Sequence, residues 1–356
     1  MLSRCPSLSQ RTDRGVLRPT VSPSPPTPSP GLTDAGMVQI GRQCPDLRHL
    51  DISSRNQNWD HPAPGVRAGD TRVTDVGLTA VAEGCKRLEG LVVRHLRGER
   101  AAVTDAGIAL VAAVCPNLSL LDLSGCQRQV TGTALRAVGQ HCSRLRSLSV
   151  EGCMIDPDGL RAVAGGCPEL SYLRIGISFL PGTVTDESLA HLVAGCPRLD
   201  ISQIGSEMCG DLFLAAVAAH RPETVQLNLN GCDGVTAAGL LQLVGGCPQL
   251  TAIKLRRIDT LTDPDLAALI RAGPPLLHPN NIESDAKGDE FLAAVVDVRG
   301  ECESLDLFGC TGVTDAGLKL LAGLGPQPAD LLQPSPDWAV KKMRFLRSID
   351  LQLCRT

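Results

Sequence analysis

The sequence predicts an α/β solenoid in which one short strand and one helix recur in every repeat, so that parallel strands line one side and helices the other. Three observations predict it: a motif that recurs at a near-constant spacing, a strand-like alternation ahead of most copies, and cysteines held in two fixed phases. The composition agrees, because aromatic residues make up only 2% of the 356 residues. A core without aromatic side chains favours thin, regularly stacked layers.

The recurring motif is Val-Thr-Asp-x-Gly-Leu, and four near-identical copies begin at Val73, Val103, Val184 and Val313. We take the last apolar residue of each full or degenerate copy as the anchor of its repeat. The anchors are Met37, Leu78, Ile108, Leu135, Leu160, Leu189, Phe213, Leu240, Leu266, Phe291 and Leu318. After the first step they lie 24 to 30 residues apart, which is the leucine-rich-repeat period of about 20 to 29 residues with short insertions. The sequence therefore predicts about eleven to twelve repeats.

A short strand is predicted ahead of the motif in nearly every repeat. Leu121 and Leu123 alternate with polar neighbours, as a strand with one buried face requires. The same phase recurs at Leu50/Ile52, Leu91/Val93, Leu148/Val150, Leu173/Ile175, Leu227/Leu229, Ile253/Leu255, Leu305/Leu307 and Ile349/Leu351. This phase predicts one strand per repeat. Between Pro275 and Ala286 the pattern is poor, and the array is expected to bend or loosen there.

A helix is predicted after the motif in each repeat. In the third repeat, Ile108, Val111, Ala112 and Cys115 recur at the spacing of one buried helical stripe. The Thr and Asp of the motif are predicted to cap this helix, because their side-chain oxygens can accept hydrogen bonds from the free amides of its first turn. The Cys-Pro pair that follows ends the helix, since proline lacks an amide and restricts the residue before it.

Twelve of the fifteen cysteines fall into two phases of the repeat. The helix-closing set comprises Cys44, Cys85, Cys115, Cys142, Cys167, Cys196 and Cys247, and the set that follows strands comprises Cys126, Cys153, Cys232, Cys310 and Cys354. Cys5, Cys209 and Cys302 fall outside both sets. Core packing is favoured over a metal or redox site, because a buried thiol acts as a small hydrophobic group and the chain has no Cys-x-x-Cys pair. The odd count and the missing secretory signal predict reduced thiols.

The array is expected to cover residues 32–356, with a low-complexity Pro/Ser-rich segment at 1–31 ahead of it. Cys5-Pro6-Ser7-Leu8 looks like the remnant of an earlier repeat that is followed by a loop insertion. Within the array, insertions are expected at 53–72 and 324–344, and loops of this length are often functional or disordered. The chain stops just after a strand without a polar capping unit, which predicts a truncation or an exposed edge.

The motif Cys-Pro-x-Leu-x-x-Leu-x-Leu-x-x-Cys followed by Val-Thr-Asp-x-Gly-Leu resembles the cysteine-containing repeats of the F-box/leucine-rich-repeat family over residues 32–356. The resemblance implies a right-handed horseshoe with outer helices and a concave parallel sheet that captures a substrate protein. It also implies an F-box that recruits a cullin-based ubiquitin ligase through an adaptor. An F-box needs about 45 residues of helical sequence ahead of the repeats, and residues 1–31 do not offer it. Either the F-box lies on a missing N-terminal part, or the chain is of the F-box-less branch.

Candidate binding residues follow from the strand alternation, because the neighbours of each strand leucine point to the concave face. The favoured residues are Tyr172, Arg174, Lys254, Arg256 and Phe308, with Arg94, Asp122 and Asn228 as further members. Tyr172 is the only tyrosine in the chain, and tyrosine and arginine are enriched at binding hot spots. The cations lie among acids, so an acidic or phosphorylated centre on a partner would fit. For any single residue, an ordinary solvated strand side chain is the alternative.

Charge and motifs exclude several function classes. The net charge of -4 gives no field for nucleic acid or an anionic membrane, and no apolar stretch approaches about 18 residues. No catalytic or phosphate-binding motif is legible, so we expect no enzyme activity, cofactor or metal. We expect a monomer in the cytoplasm or nucleus. Three functions stay open: a substrate receptor of a ubiquitin ligase, a stand-alone protein-binding scaffold, and a recognition module for a pathogen or small-molecule ligand.

Overall fold

The computed structural model describes residues 32–53, 73–94, 103–175, 184–204, 208–298, 302, 304–307, 310–321 and 348–350. The chain divides into two compact units between Asp200 and Ile201, which we call unit 1 and unit 2. The predicted segment 1–31 and the predicted insertion 324–344 lie outside the described residues, as does all of the insertion 53–72 except Ser53. The repeat period of the sequence continues through the boundary between the units without a break.

Unit 1 alternates ten-residue helices with three-residue strands. Its helices are α1 Asp34–Gln43, α2 Asp75–Gly84, α3 Asp105–Val114, α4 Gly132–His141, α5 Pro157–Gly166 and α6 Asp186–Gly195. Its strands are β1 His49–Asp51, β2 Gly90–Val92, β3 Leu120–Asp122, β4 Ser147–Ser149 and β5 Tyr172–Arg174. The strands pair in parallel in chain order. The central leucine of every strand lies in register with the next and is buried.

Unit 2 repeats the same elements with more irregular strands. Its helices are α7 Asp211–His220, α8 Ala237–Gly246, α9 Asp263–Ala272, α10 Asp289–Val298 and α11 Asp315–Leu321. Its strands are β6 Gln226–Asn228, β7 Ala252–Lys254, β8 Ile282–Glu283, β9 Ser304–Asp306 and β10 Ser348–Asp350. They form two parallel sheets, β6-β7-β8 and β9-β10. In both units, parallel strands that alternate with helices confirm the predicted α/β leucine-rich-repeat solenoid.

Two repeats depart from the predicted strand pattern. Ahead of α7, a 3-10 turn at Ile201–Gln203 replaces the strand, so the prediction of one strand per repeat is wrong there. The reason is local, because Ser202 stands where the other strands have their buried central leucine. Ahead of α10, a 3-10 turn at Pro279–Asn281 leaves room for only two strand residues, and the sheet ends at β8. This interruption agrees with the poor strand pattern of the sequence in that region.

Every predicted anchor lies in a helix of the described chain, but two anchors are wrong by one residue. Regular repeats place the motif aspartate at the first helical position and the anchor at the fourth. In α7 and α10 the fourth residues are Leu214 and Leu292, whereas the predicted Phe213 and Phe291 occupy the third position, where the motif has glycine. All four side chains are buried, so burial alone does not reveal the phase.

Neighbouring repeats are joined by the aspartate of the motif. Asp75 accepts hydrogen bonds from the backbone amide of Thr104 in the next repeat at 2.8 Å and from its hydroxyl at 2.6 Å. The same pair of bonds joins Asp34 to Thr74, Asp105 to Thr131, Asp211 to Thr236 and Asp289 to Thr314. Thr104 accepts from the amide of Ala106 and so caps its own helix. The prediction that the motif aspartate caps its own helix is therefore wrong in these repeats, because it holds the following repeat.

The glycine of the motif makes room for this inter-repeat contact. A Cβ atom placed on Gly107 would lie 2.2 Å from the Oδ1 atom of Asp75, which real Cβ contacts do not show. Alanine takes the glycine position once in unit 1, and there the amide of Ala134 lies 3.3 Å from the preceding aspartate. The corresponding distance for the Gly77 amide is 3.0 Å. The side chain at this position thus sets how closely two repeats approach.

The two predicted cysteine columns consist of free structural thiols in the described part of the chain. All of them are buried except Cys44, which is half-buried. Their sulfur atoms also act as weak donors between repeats: Sγ of Cys196 lies 3.5 Å from the carbonyl oxygen of Cys167, and Sγ of Cys126 lies 3.0 Å from that of Val93. Burial raises the pKa of the Cys167 thiol to about 12, which keeps it protonated and unreactive at neutral pH.

Two of the three cysteines that the sequence leaves outside these columns also have repeat positions. Cys209 takes the place of the motif valine before α7, and Cys302 takes the place of the leucine in Cys-Pro-x-Leu before β9. Both side chains are buried, at 0% and 3% exposure. They lie outside the two cysteine columns, as predicted, but still occupy apolar positions of the repeat. Cys5, the third, and Cys354 of the strand column lie outside the described residues.

Lys287 is a buried cation in a position that is otherwise apolar. The other copies of this motif position, from Val73 to Val313, carry Val, Ile, Leu or Cys, whereas Lys287 is 2% exposed. Its Nζ atom donates to the carbonyl oxygen of Asp306 at 2.9 Å and lies 5.4 Å from the centroid of the Phe291 ring. Burial lowers the pKa of this amine. The lysine donates to a carbonyl of β9 at the point where the sheet stops.

Removing one inter-repeat acceptor is expected to destabilise unit 1. Asp75→Ala leaves the amide and the hydroxyl of Thr104 without their acceptor and should lower the free energy of unfolding by about 1–3 kcal/mol in urea titrations. Asp158→Ala is the matched control, since Asp158 also lies in the first turn of a helix but pairs with the exposed Arg161. That control should change stability by less than about 0.5 kcal/mol. Equal losses would show that the aspartates act only through their charge at a helix start.

Replacing the buried lysine by an apolar side chain is expected to stabilise unit 2. Lys287→Met should raise the free energy of unfolding by about 1–2 kcal/mol at pH 7, because no charge then has to be buried. The difference in stability between the wild type and the variant should also change with pH. Between the lowered pKa of folded Lys287 and 10.5, the unfolded chain binds more protons, so wild-type stability rises with pH relative to the variant. A variant that is less stable at every pH would show that the bond to Asp306 outweighs the burial of the charge.

Candidate protein-binding face

The candidate site is the strand-side face, which we define as the outward residues on either side of each buried strand leucine. In unit 1 the strand register aligns these residues in two rows. The first row comprises His49, Gly90, Leu120, Ser147 and Tyr172, and the second comprises Asp51, Val92, Asp122, Ser149 and Arg174. Parallel pairing holds every row in place, so the face presents side chains at fixed intervals of one strand spacing, about 4.8 Å.

Ion pairs between adjacent repeats organise the charges of unit 1. The Nε and Nη2 atoms of Arg94 contact Oδ2 of Asp122 at 2.6 and 2.5 Å, and Asp122 is only 5% exposed. The hydrogen bond to Asp122 raises the pKa of Arg94 further above its ordinary value. Arg174 pairs with Glu151 at 2.8 Å. The two cations that the sequence nominates in this unit are therefore largely neutralised by carboxylates of the same face.

Unit 2 presents a different combination of polar groups. Lys254 and Arg256 approach the two oxygens of Glu283 at 3.4 and 3.6 Å, so one carboxylate is shared by two cations. The side chain of Asn230 accepts from the backbone amide of Arg256 at 2.8 Å, which ties β6 to β7 beyond the strand residues. The following residue, Arg257, has a φ of 60° at a position where other repeats have glycine. Arginine in this left-handed region is strained by about 1–2 kcal/mol.

The predicted binding residues fall into one group in each unit. In unit 1, Arg94 and Asp122 are bonded to each other, and Tyr172 and Arg174 lie on β5 with Tyr172 44% exposed. In unit 2, Asn228 lies in register with Lys254, and Arg256 follows on the same face. Phe308 lies outside the described residues. The choice of these residues as a binding site stays a prediction.

Sequence reasoning missed the partners of the predicted cations. Glu283 is the carboxylate shared by Lys254 and Arg256, but its strand has two residues and gives no clear alternation. Counting back from the motif before α10 would have placed it on the face. Glu151 was on the predicted face, yet its pairing with Arg174 depends on which side chains of neighbouring repeats meet. These cations already have carboxylate partners, and this weakens the prediction of an acidic or phosphorylated binding partner.

The described part of the chain contains no group of three or more His, Cys, Asp or Glu side chains that could hold a metal ion. None of the described helices has the length and apolar character that a membrane span needs.

Comparison with known proteins agrees with the repeat assignment. The leucine-rich-repeat family model matches residues 303–322. Among curated proteins, the chain is 26% identical over 241 residues to coronatine-insensitive protein homolog 2 of Oryza sativa subsp. indica, covering 63% of this chain and 33% of that protein. It is 25% identical over 223 residues to the F-box protein FBX14 of Arabidopsis thaliana, covering 58% of this chain and 33% of the relative. The chain thus spans about a third of the length of these relatives.

Solved structures that align with the chain include an internalin of Listeria monocytogenes, at 12% identity and a TM-score of 0.41 over 90% of this chain and 89% of that one. A chain of the yeast Rad7 and Elc1 complex aligns at 19% identity and a TM-score of 0.35 over 79% of this chain and 73% of that chain. The resemblance to F-box/leucine-rich-repeat proteins that the sequence motif carries is confirmed by the curated relatives and the repeat model. These relatives support a leucine-rich-repeat scaffold for this chain.

Proposed function

We propose that this protein captures a protein partner on its strand-side face and thereby acts as a substrate-recognition module of an SCF-type cullin ubiquitin ligase. The observation that carries the binding part is the first row of unit 1. It places a 44% exposed tyrosine, Tyr172, beside Leu120 and the small Ser147 on a face fixed by parallel strands. Exposed aromatic residues on rigid elements are the usual centres of binding interfaces.

Binding suits this face better than catalysis does. The predicted cations of this face are engaged in ion pairs along the surface, and Leu120 lies between Gly90 and Ser147 in the first row. Catalysis would need a nucleophile, a base or paired carboxylates that converge on one point. The buried thiols do not meet this need, because burial raises their pKa values and lowers their reactivity.

The ligase part of the proposal is supported by the relatives. One of the proteins that this chain resembles is named an F-box protein, and the chain spans about a third of its length. An adaptor would be bound by an F-box and not by the repeats, so the repeats supply recognition and an F-box supplies attachment. The alternative is an F-box-less scaffold that binds the same partner without any ligase. We propose residence in the cytoplasm or nucleus, because reduced thiols persist in those compartments.

The binding face can be tested by comparing partners of two variants. Tyr172, Arg174, Lys254 and Arg256 are replaced together by alanine, and the proteins that co-purify from the source cells are quantified by mass spectrometry. At least one partner of the wild type should fall about tenfold or more. The control variant carries alanine at Arg42, Lys86 and Arg198, which are exposed residues away from the strand-side face. Partner sets that are unchanged in the first variant would overturn the choice of site.

The ligase role is tested by the same purification. If the repeats serve a ligase, the cullin and its adaptor co-purify with the full-length protein and with the alanine variant alike, because attachment does not depend on the strand-side face. Proteasome inhibition should then raise the amount of the captured partner in wild-type cells. A partner that is captured without any cullin or adaptor would favour the stand-alone scaffold.

A further inference from the structure

The first row of unit 1 contains a gap of one side chain. Leu120 on β3 and Tyr172 on β5 flank Ser147 on β4, and all three lie in register. Because two strand spacings separate Leu120 from Tyr172, about 10 Å lies between their backbones with only a serine hydroxymethyl group at the centre. Tyr172 is 44% exposed, and Leu120 is half-buried. A side chain from another molecule could lie over Ser147 with apolar contacts on both sides.

The far end of the same face carries an excess carboxylate. Among the described residues, the ion pairs of this face neutralise Asp122 with Arg94 and Glu151 with Arg174. Arg94 also interacts electrostatically with Asp51 on β1, but it is bonded to Asp122, so two carboxylates share one cation. The Oδ1 atom of Asp51 accepts from the amide of Ser53 at 2.9 Å and from the Ser53 hydroxyl at 2.5 Å. The carboxylate is therefore held in a fixed position with one oxygen available to a further donor.

The width of the first row of unit 1 limits the conformation of a segment that can bind there. On β5, Arg174 follows Tyr172 in the next row, about 7 Å away, and is half exposed through its ion pair. The space between Tyr172 and Arg174 is narrower than a helix of about 10 Å diameter. An extended chain fits this width. At the β1 end, His49 lies over Gly90, where an added Cβ would be 2.6 Å from the imidazole ring, so the row is filled there.

We infer that unit 1 binds an extended segment of its partner that carries a large apolar side chain over Ser147 and a lysine or arginine at Asp51. Three strand spacings and two residues along the strand separate these points, a distance of about 16 Å. An extended chain covers that distance in about four or five residues. The inference rests on the proposed protein-binding function and specifies the chemistry of the partner: an apolar-and-basic segment, not an acidic or phosphorylated one.

Panning of a phage library of random peptides, about twelve residues long, on the purified full chain tests this inference. The wild type should enrich peptides with a Leu, Phe, Trp or Met four or five positions from a Lys or Arg. Ser147→Trp fills the gap and should weaken a selected peptide at least about tenfold. Ser147→Ala, its control, should leave affinity within about twofold. No enrichment, or enrichment without this spacing, would overturn the inference.

The charged end is tested by reversing its sign. Asp51→Lys should weaken the selected peptides at least about tenfold and should itself select peptides with Asp or Glu at the same spacing. Asp46→Lys is the control, since Asp46 is an exposed acid in the loop before β1. If Asp51→Lys lowers the melting temperature, Asp51→Asn removes the charge while it keeps an acceptor for Ser53. Peptides bound equally by both Asp51 variants and the wild type would contradict the basic anchor.

The two proposals fail in different ways. Peptides that lose binding in the fourfold alanine variant but not in Ser147→Trp or Asp51→Lys would overturn this inference and leave the binding face intact. Peptides that bind all three variants as tightly as the wild type would count against the strand-side face itself. Tyr172→Ala alone separates the apolar contact from the cations, because it removes one wall of the gap and leaves every ion pair in place.

Discussion

The hydrogen bonds that a motif threonine donates to the aspartate of the preceding repeat join neighbouring layers of this protein. Each bond pair satisfies a backbone amide at the start of a helix and links that helix to its predecessor. In the same layers the strand leucines lie in register, and buried thiols meet carbonyls of the layer before. The glycine of the motif is needed for the same contact, because a Cβ atom at Gly107 would occupy the place of the Asp75 carboxylate.

The helices could be predicted from sequence because several independent signals coincide on each: a capping threonine, an apolar stripe and a Cys-Pro ending. Strands rest on fewer signals, and the prediction failed where Ser202 takes the place of one leucine. The role of the motif aspartate was also missed. Its partner lies 25 to 40 residues away, as for Asp211 with Thr236 and Asp34 with Thr74, and local capping rules describe only contacts within a few residues. The division at Asp200 depends on packing and leaves no mark in the repeat period.

The outward residues could be predicted from alternation, but not their electrostatic state. A sequence shows that Arg94 and Arg174 lie on the face, whereas their neutralisation by Asp122 and Glu151 depends on side chains of adjacent repeats. The row of Tyr172, Ser147 and Leu120 is therefore a better candidate for a binding centre than the paired cations are. The buried Lys287 was not predicted either, because its bond to Asp306 crosses an interrupted sheet.

The bonds between motif aspartates and threonines have a direction along the chain. In every pair the acceptor precedes the donors in sequence, as Asp75 precedes Thr104. During translation a repeat that leaves the ribosome therefore meets a predecessor that already holds the acceptor for its first helical turn. Growth of the array can proceed in the order of synthesis, each layer serving as a template for the next, without waiting for distant parts of the polypeptide.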